Sequence, residues 1–110
     1  MTSNKYEVVW TNVAQRDLNR IIDYIAVDSI ANAKSILKKI KNKANELYSF
    51  PSKGRVLPEL KLYNINNYRE IIINPWRIIY SIEENYVYIN SVIDGRRNAE
   101  DILLDRFMEN

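Results

Sequence analysis

Arg77 lies inside the run NPWRIIYSI (74–82), between a tryptophan and two isoleucines, where the surrounding residue types suit a buried β-strand. A guanidinium in such a place either pairs with a carboxylate across the sheet or is offered to a carboxylate or phosphate from outside. Arg69 precedes it in YRE, Lys61 follows LPEL, and Arg96 and Arg97 form a G-R-R turn with Gly95. These cations are the residues that could recognise a carboxylate or phosphate partner, and without histidine or cysteine any catalysis would have to draw on carboxylates, Arg, Lys or Tyr. A phenol with an unperturbed pKa of about 10 needs strong tuning for acid-base work near neutrality.

The rest of the composition narrows the chemistry further. The 110-residue chain has neither histidine nor cysteine. Disulfides, thiolate nucleophiles and the commonest zinc ligands are therefore excluded, and so is the one side chain that titrates unaided near neutrality. No metal and no cofactor is expected. Hydrophobic residues make up 46% and charged residues 27%, with 2 glycines and 3 prolines, which is a globular composition. The length predicts one domain over residues 1–110 with a single core. No basic and apolar leader and no membrane-spanning apolar run stands out, and cysteine is lacking, so a cytoplasmic protein without a membrane partner is expected. The net charge of +2 is mild, but lysines crowd residues 34–43. Their bland reading is a solvated helix face.

These residues must be positioned by a small set of elements. KYEVVW (5–10) predicts an opening strand, and Thr11 or Asn12 can cap a helix in which Ala14, Leu18, Ile21, Ile22 and Ile25 share a face. Asp28 and Ser29 interrupt the pattern. Ala33, Ile36, Leu37, Ile40, Ala44, Leu47 and Tyr48 resume it until Phe50-Pro51, so an antiparallel helical hairpin is expected. Residues 51–66 read as a loop with at most one short strand. Strands at 68–73, 76–82 and 86–93 form an antiparallel meander, and Asn98 caps a last helix over 99–108.

Alternation puts Trp76, Ile78, Tyr80 and Ile82 on one face, joined by Ile71, Ile73, Val87, Ile89 and Ile93. That face is expected to pack on the hairpin. Arg77 then projects from the opposite face, among Glu70, Ile72, Tyr88, Asn90 and Val92, and it is either paired with Glu70 or available to a partner. Arg77→Ala is expected to abolish whatever activity this face carries while leaving the fold intact, since a surface arginine on a strand costs little stability. Arg69 falls opposite Tyr80, where stacking is the structural alternative, and nearby carboxylates are the alternative for Arg96 and Arg97.

YREIIINPWRIIYSI (68–82) and VIDGRRNAEDIL (92–103), with LPEL (57–60) between hairpin and meander, resemble the RelE/ParE superfamily of toxins from bacterial type II toxin-antitoxin systems, closest to the ParE branch. The resemblance implies an α+β fold of order β-α-α-β-β-β-α, with the helical hairpin on one face of a small, mainly antiparallel sheet. It also implies a cognate antitoxin as partner in a hetero-oligomer, and one of two activities. The ParE branch inhibits DNA gyrase without cutting RNA, with Arg77, Arg69, Arg96 and Arg97 as target-recognition candidates. The RelE branch cleaves mRNA on the ribosome, for which Arg77, Lys61 and Tyr88 are the catalytic candidates. The RelE branch carries an arginine and a tyrosine in or near its final helix, whereas this chain reads NAEDILLDRF there, with no tyrosine and only Arg106 late in the helix, and Asp94 stands where a histidine often precedes G-R-R. A nucleic-acid-binding module without toxicity, using the lysine-rich helix and the arginines, is a further alternative.

Overall fold

The computed structural model describes residues 5–108. Strand β1 (Glu7–Trp10) leads into helix α1 (Asn12–Asp28), and Thr11 accepts the Ala14 N–H as the N-cap. Ser29 alone links α1 to α2 (Ile30–Asn45) and caps it by accepting from the Asn32 N–H. A 3-10 turn at Glu46–Tyr48 and another at Pro51–Lys53 precede the two-residue strand β2 (Arg55–Val56). A single-turn helix α3 (Pro58–Lys61) follows, so the central segment holds more structure than its composition announces. The meander β3 (Tyr68–Ile73), β4 (Trp76–Glu83) and β5 (Tyr86–Asp94) and the closing helix α4 (Ala99–Phe107) fall where the sequence places them. Asn98 differs in detail: its side chain makes no cap bond to the helix backbone, and its amide donates to Asp101 instead.

The five strands form one sheet in the order β1-β5-β4-β3-β2, antiparallel except for the parallel β1–β5 pair. Ile73 opposes Trp76 across the Asn74-Pro75 link, whose peptide bond is cis. The α1–α2 hairpin and the 3-10 turn after it cover one face, burying Leu18, Ile40 and Leu47 against Ile71, Ile78, Tyr80, Val87 and Ile89. Each such fully buried aliphatic chain contributes about 1.5–3 kcal/mol of transfer free energy.

Two expectations are corrected here. The first is the single core, because the opposite face of the sheet is also buried. Leu57, Leu60, Ile79, Ile93 and Leu103 form a second apolar layer under α3 and α4, with Phe107 packed on Tyr68 at 4.4 Å between ring centroids. The second is the register of β5. Ile79 opposes Ser91 but Tyr80 opposes Ile89, so Asn90 is an extra residue in a β-bulge. Past a bulge the inside–outside alternation inverts. Val92 therefore joins the hairpin-side core and Ile93 the α4-side core, the reverse of the uniform alternation.

Candidate functional site

Arg77 stands opposite Ile72 in the middle of the sheet and points into the α4 side, where it is nearly buried. Its Nε donates to Glu70 Oε1 at 2.5 Å, and Nη1 and Nη2 donate to the two oxygens of Glu59 at 2.7 and 2.8 Å. Glu70 has no exposed side-chain surface, and its other oxygen accepts from Arg55 Nε at 2.6 Å. Glu59 is delivered by α3, a turn that opens on Pro58, whose fixed φ suits a first helical position. The hydrogen bonds from Arg77 hold the Glu59 carboxyl below its ordinary range against the opposing effect of burial, and the carboxylates hold the guanidinium well above its own. Two guanidiniums meet two carboxylates, and the cluster is neutral. Of the two roles open to Arg77, the structure shows the pairing with Glu70 and adds Glu59. The expectation that Arg77→Ala spares the fold is therefore corrected, since the residue is not on an open face.

Arg69 also works inward. It opposes Tyr80, and its Nη1 donates to the Gly54 carbonyl at 2.7 Å. The Tyr80 hydroxyl donates to the Pro51 carbonyl at 2.6 Å and accepts the Gly54 N–H at 2.9 Å. Burial pushes the Tyr80 phenol up from its ordinary pKa. Arg69 and Tyr80 thus clamp the 51–54 loop onto the sheet edge, and only glycine fits at 54. A β-carbon there would stand 2.6 Å from the Tyr80 hydroxyl and closer still to the Glu70 carbonyl.

Lys61 and Tyr63 are exposed at and just beyond the end of α3. Tyr88 is stacked on Tyr86 at 5.8 Å and lies opposite Ser81, four residues along β4 from Arg77. At ~3.3 Å per residue their backbones stand about 13 Å apart, and the Arg77 guanidinium is already bound by Glu59 and Glu70.

The cations that remain on the surface gather elsewhere. The turn after β5 is held by Gly95 N–H donating to the Pro75 carbonyl at 2.7 Å and Arg97 N–H to the Asp94 carbonyl at 3.0 Å. Both following guanidiniums face solvent. Arg96 pairs with Asp94 through Nε at 3.0 Å and Nη2 at 2.9 Å, which holds the Asp94 carboxyl below its usual range. Arg97 makes no side-chain ion pair among the described residues. Across from this turn α1 presents Arg20, Ile21, Tyr24 and Ile25. With Trp76, Asp94, Arg96 and Arg97 they line an open groove of about 590 Å³. Its floor is apolar and its rim carries three arginines against one carboxylate. Beside it, Tyr24, Val27 and Ile30 at the hairpin tip are 81%, 84% and 65% exposed, which leaves apolar side chains open to solvent there. A larger concavity of about 780 Å³ under residues 49–53 has Lys53 as its one cation, and that lysine is bound to Glu46 at 2.6 Å.

Arg20 and Tyr24 are the groove residues that sequence reasoning misses. Their spacing of four marks them only as neighbours on one helix side, and the turn they face is some seventy residues away. Asp17 and Arg106 are a second omission. Beyond β1 the outer edge of β5 is closed by Asp17, nearly buried, which accepts the Val92 N–H at 3.0 Å. Arg106 reaches from α4 to both Asp17 oxygens, at 2.7 and 3.1 Å, and to Ser91 Oγ at 2.9 Å. A backbone edge that would otherwise lack partners is thereby satisfied.

The chain is 27% identical over 92 residues to Toxin ParE3 of Caulobacter vibrioides, an alignment covering 83% of this chain and 88% of that protein. Among solved structures, a chain from the chromosomal ParDE toxin-antitoxin system of P. aeruginosa superposes with a TM-score of 0.68 at 18% identity, covering 84% of this chain and 98% of that one. A chain from the RelBE2 toxin-antitoxin complex of Mycobacterium tuberculosis superposes with a TM-score of 0.62 at 22% identity, covering 84% and 94%. These two likenesses establish the α+β fold expected from the resemblance. Residues 8–99 match the family described as ParE toxin of type II toxin-antitoxin system, parDE, and the chain belongs to that family.

Proposed function

We propose that this toxin arrests growth by inhibiting DNA gyrase in the cytoplasm and is neutralised by a cognate antitoxin, with which it forms a hetero-oligomer. The observation that carries the choice of target is the neutralised Arg77. A nuclease of this architecture needs a cation on that strand free to meet the scissile phosphate. Here Glu59 and Glu70 take up all three donating nitrogens of the guanidinium. An inhibitor needs a recognition surface instead. The groove rimmed by Arg20, Arg96 and Arg97 beside the exposed tip residues is suited to one, since planar guanidiniums bind carboxylate and phosphate groups and the apolar tip supplies contact area. Arg96 and Arg97 are the recognition residues of this reading, whereas Arg69 and Arg77 act by holding the scaffold.

Antitoxin partnership draws support from the family and from the two structural neighbours, both described as members of toxin-antitoxin systems. The test is supercoiling of relaxed plasmid by purified gyrase while the protein is titrated in. Inhibition with accumulation of cleaved DNA is expected, and Arg96→Ala/Arg97→Ala should abolish it without lowering the melting temperature. No inhibition at large excess, with cleavage of mRNA on programmed ribosomes, would overturn the reading in favour of the ribosomal one. Growth arrest on expression of the toxin alone, relieved by the neighbouring gene's product, tests the antitoxin.

A further inference from the structure

We infer that the outer face of α2 binds the phosphate backbone of double-stranded DNA. This helix carries Lys34, Lys38, Lys39, Lys41 and Lys43 and not one carboxylate. Of the sixteen basic residues these five leave eleven elsewhere against fourteen acidic ones, so outside α2 the chain has a net charge of −3. The positive field is concentrated on one helix. Lys34, Lys38 and Lys39 are exposed and make no ion pair among the described residues. Lys41 holds its ammonium over the Trp10 ring at 4.3 Å from the centroid, a cation–π contact that orders the side chain without neutralising its charge. Like charges four residues apart, as at 34/38 and 39/43, repel and weaken a helix. The fold makes no use of them that would offset this.

The kind of polyanion follows from what the face lacks. The apolar side of α2 is spent on the sheet through Ala33, Ile36, Leu37, Ile40 and Ala44, so the helix has no apolar face to lay into a bilayer. Nor does α2 carry an aromatic residue on which unpaired bases could stack. Lysine is a flexible point charge, suited to a repeating phosphate lattice more than to one fixed carboxylate. Lys34 to Lys41 spans about 10 Å of helix axis at ~1.5 Å per residue. A duplex bearing one charge per about 1.7 Å offers several phosphates over that length. Its biological setting rests on the gyrase reading, since an enzyme that holds duplex DNA supplies the polyanion.

The test is fluorescence anisotropy of a labelled duplex of about 20 base pairs, titrated with the full chain between about 50 and 200 mM NaCl. Four lysines should give a slope of log K against log [NaCl] of roughly −3 to −4. The variant Lys34→Gln/Lys38→Gln/Lys39→Gln removes three of them at exposed positions with a residue of similar helix propensity. Its slope should fall to about −1, with unchanged circular dichroism. No duplex binding at the lowest salt, an unchanged slope in the triple variant, or tighter binding to vesicles containing phosphatidylglycerol than to the duplex would overturn the inference. Running gyrase supercoiling beside it separates the two readings. Inhibition without duplex binding refutes this inference alone, and duplex binding without inhibition refutes the gyrase target while leaving this one standing.

Discussion

Arg77→Ala should destabilise the protein by about 3 kcal/mol, a value set by what the substitution leaves behind. Arg77 donates three charge-assisted hydrogen bonds from a side chain that is 10% exposed. Removing one member of a buried pair costs about 3–5 kcal/mol, because the partner charge stays desolvated. The low end applies for two reasons. Glu70, fully enclosed, keeps its bond from Arg55, and Glu59, 22% exposed, can turn toward water. At about 4 °C per kcal/mol for a domain of this size, the melting temperature should fall by roughly 12 °C. Urea unfolding is the direct assay, with the midpoint lowered and the slope unchanged. A double-mutant cycle with Glu59→Ala should return a coupling energy of about 1–3 kcal/mol between the two sites. Arg77→Ala within about 0.5 kcal/mol of the parent, or a coupling near zero, would refute the view that this network is built into the fold. The consequence for function is practical. Lost toxicity in Arg77→Ala must be read against the folded fraction, and the exposed Arg96 and Arg97 are the cleaner probes.

Other perturbations test other parts of the scaffold. Arg77 depresses the Glu59 pKa in the folded state, so the contribution of that carboxylate is present above its ordinary value near 4.5 and is lost as pH falls through the folded value. Urea melts should therefore show Glu59→Gln less stable than the parent at neutral pH, with the difference closing as pH falls below that ordinary value; a difference that does not vary with pH would contradict the pairing. Gly54→Ala should cost at least about 2 kcal/mol, because the added methyl meets the Glu70 carbonyl and the Tyr80 hydroxyl, and a neutral result would mean that the 51–54 loop yields easily. Arg106→Ala should cost about 2 kcal/mol by leaving Asp17 with the Val92 N–H as its hydrogen-bond donor, and hydrogen exchange at Val92 should accelerate; unaltered exchange there would argue against the edge clasp.

The legible parts of the fold were those with a local cause. Apolar residues at spacings of three and four set the two long helices, and Thr11 and Phe50-Pro51 mark where the pattern starts and stops. Two short links fixed the meander so closely that Ile73 opposes Trp76 as the two-residue turn requires. Val92 and Ile93 exchanged faces because a bulge at Asn90 inverts the alternation, and no residue type in NSVID announces it. The second core was hidden for a related reason. Its helical layer comes from a four-residue turn and a nine-residue helix, too short for periodicity to declare, while Leu57 and Leu60 sit in a segment of loop-like composition. Glu70 was visible as a partner for Arg77 through sheet register. Glu59 was not, since its approach depends on α3 folding over the sheet.

The arginines divide into two groups, and the division explains why residue type alone misjudged their roles. Arg69, Arg77 and Arg106 each tie a poorly self-supporting element to the sheet: the 51–54 loop, α3, and α4. In each case the guanidinium donates to carbonyl or carboxylate oxygens, those of Gly54, Glu59 and Asp17 respectively. A chain this short covers the second face of its sheet with single turns and one short helix, whose apolar contacts alone are few, and charged bonds supply the missing anchorage. Arg20, Arg96 and Arg97 anchor nothing comparable, as the turn that carries the last two is already held by the backbone bonds of Gly95 and Arg97. Their exposure is thus not required for folding. It is the property that a recognition surface needs, and it makes the groove between α1 and the Gly95–Arg97 turn the place where loss of function can be separated from loss of structure.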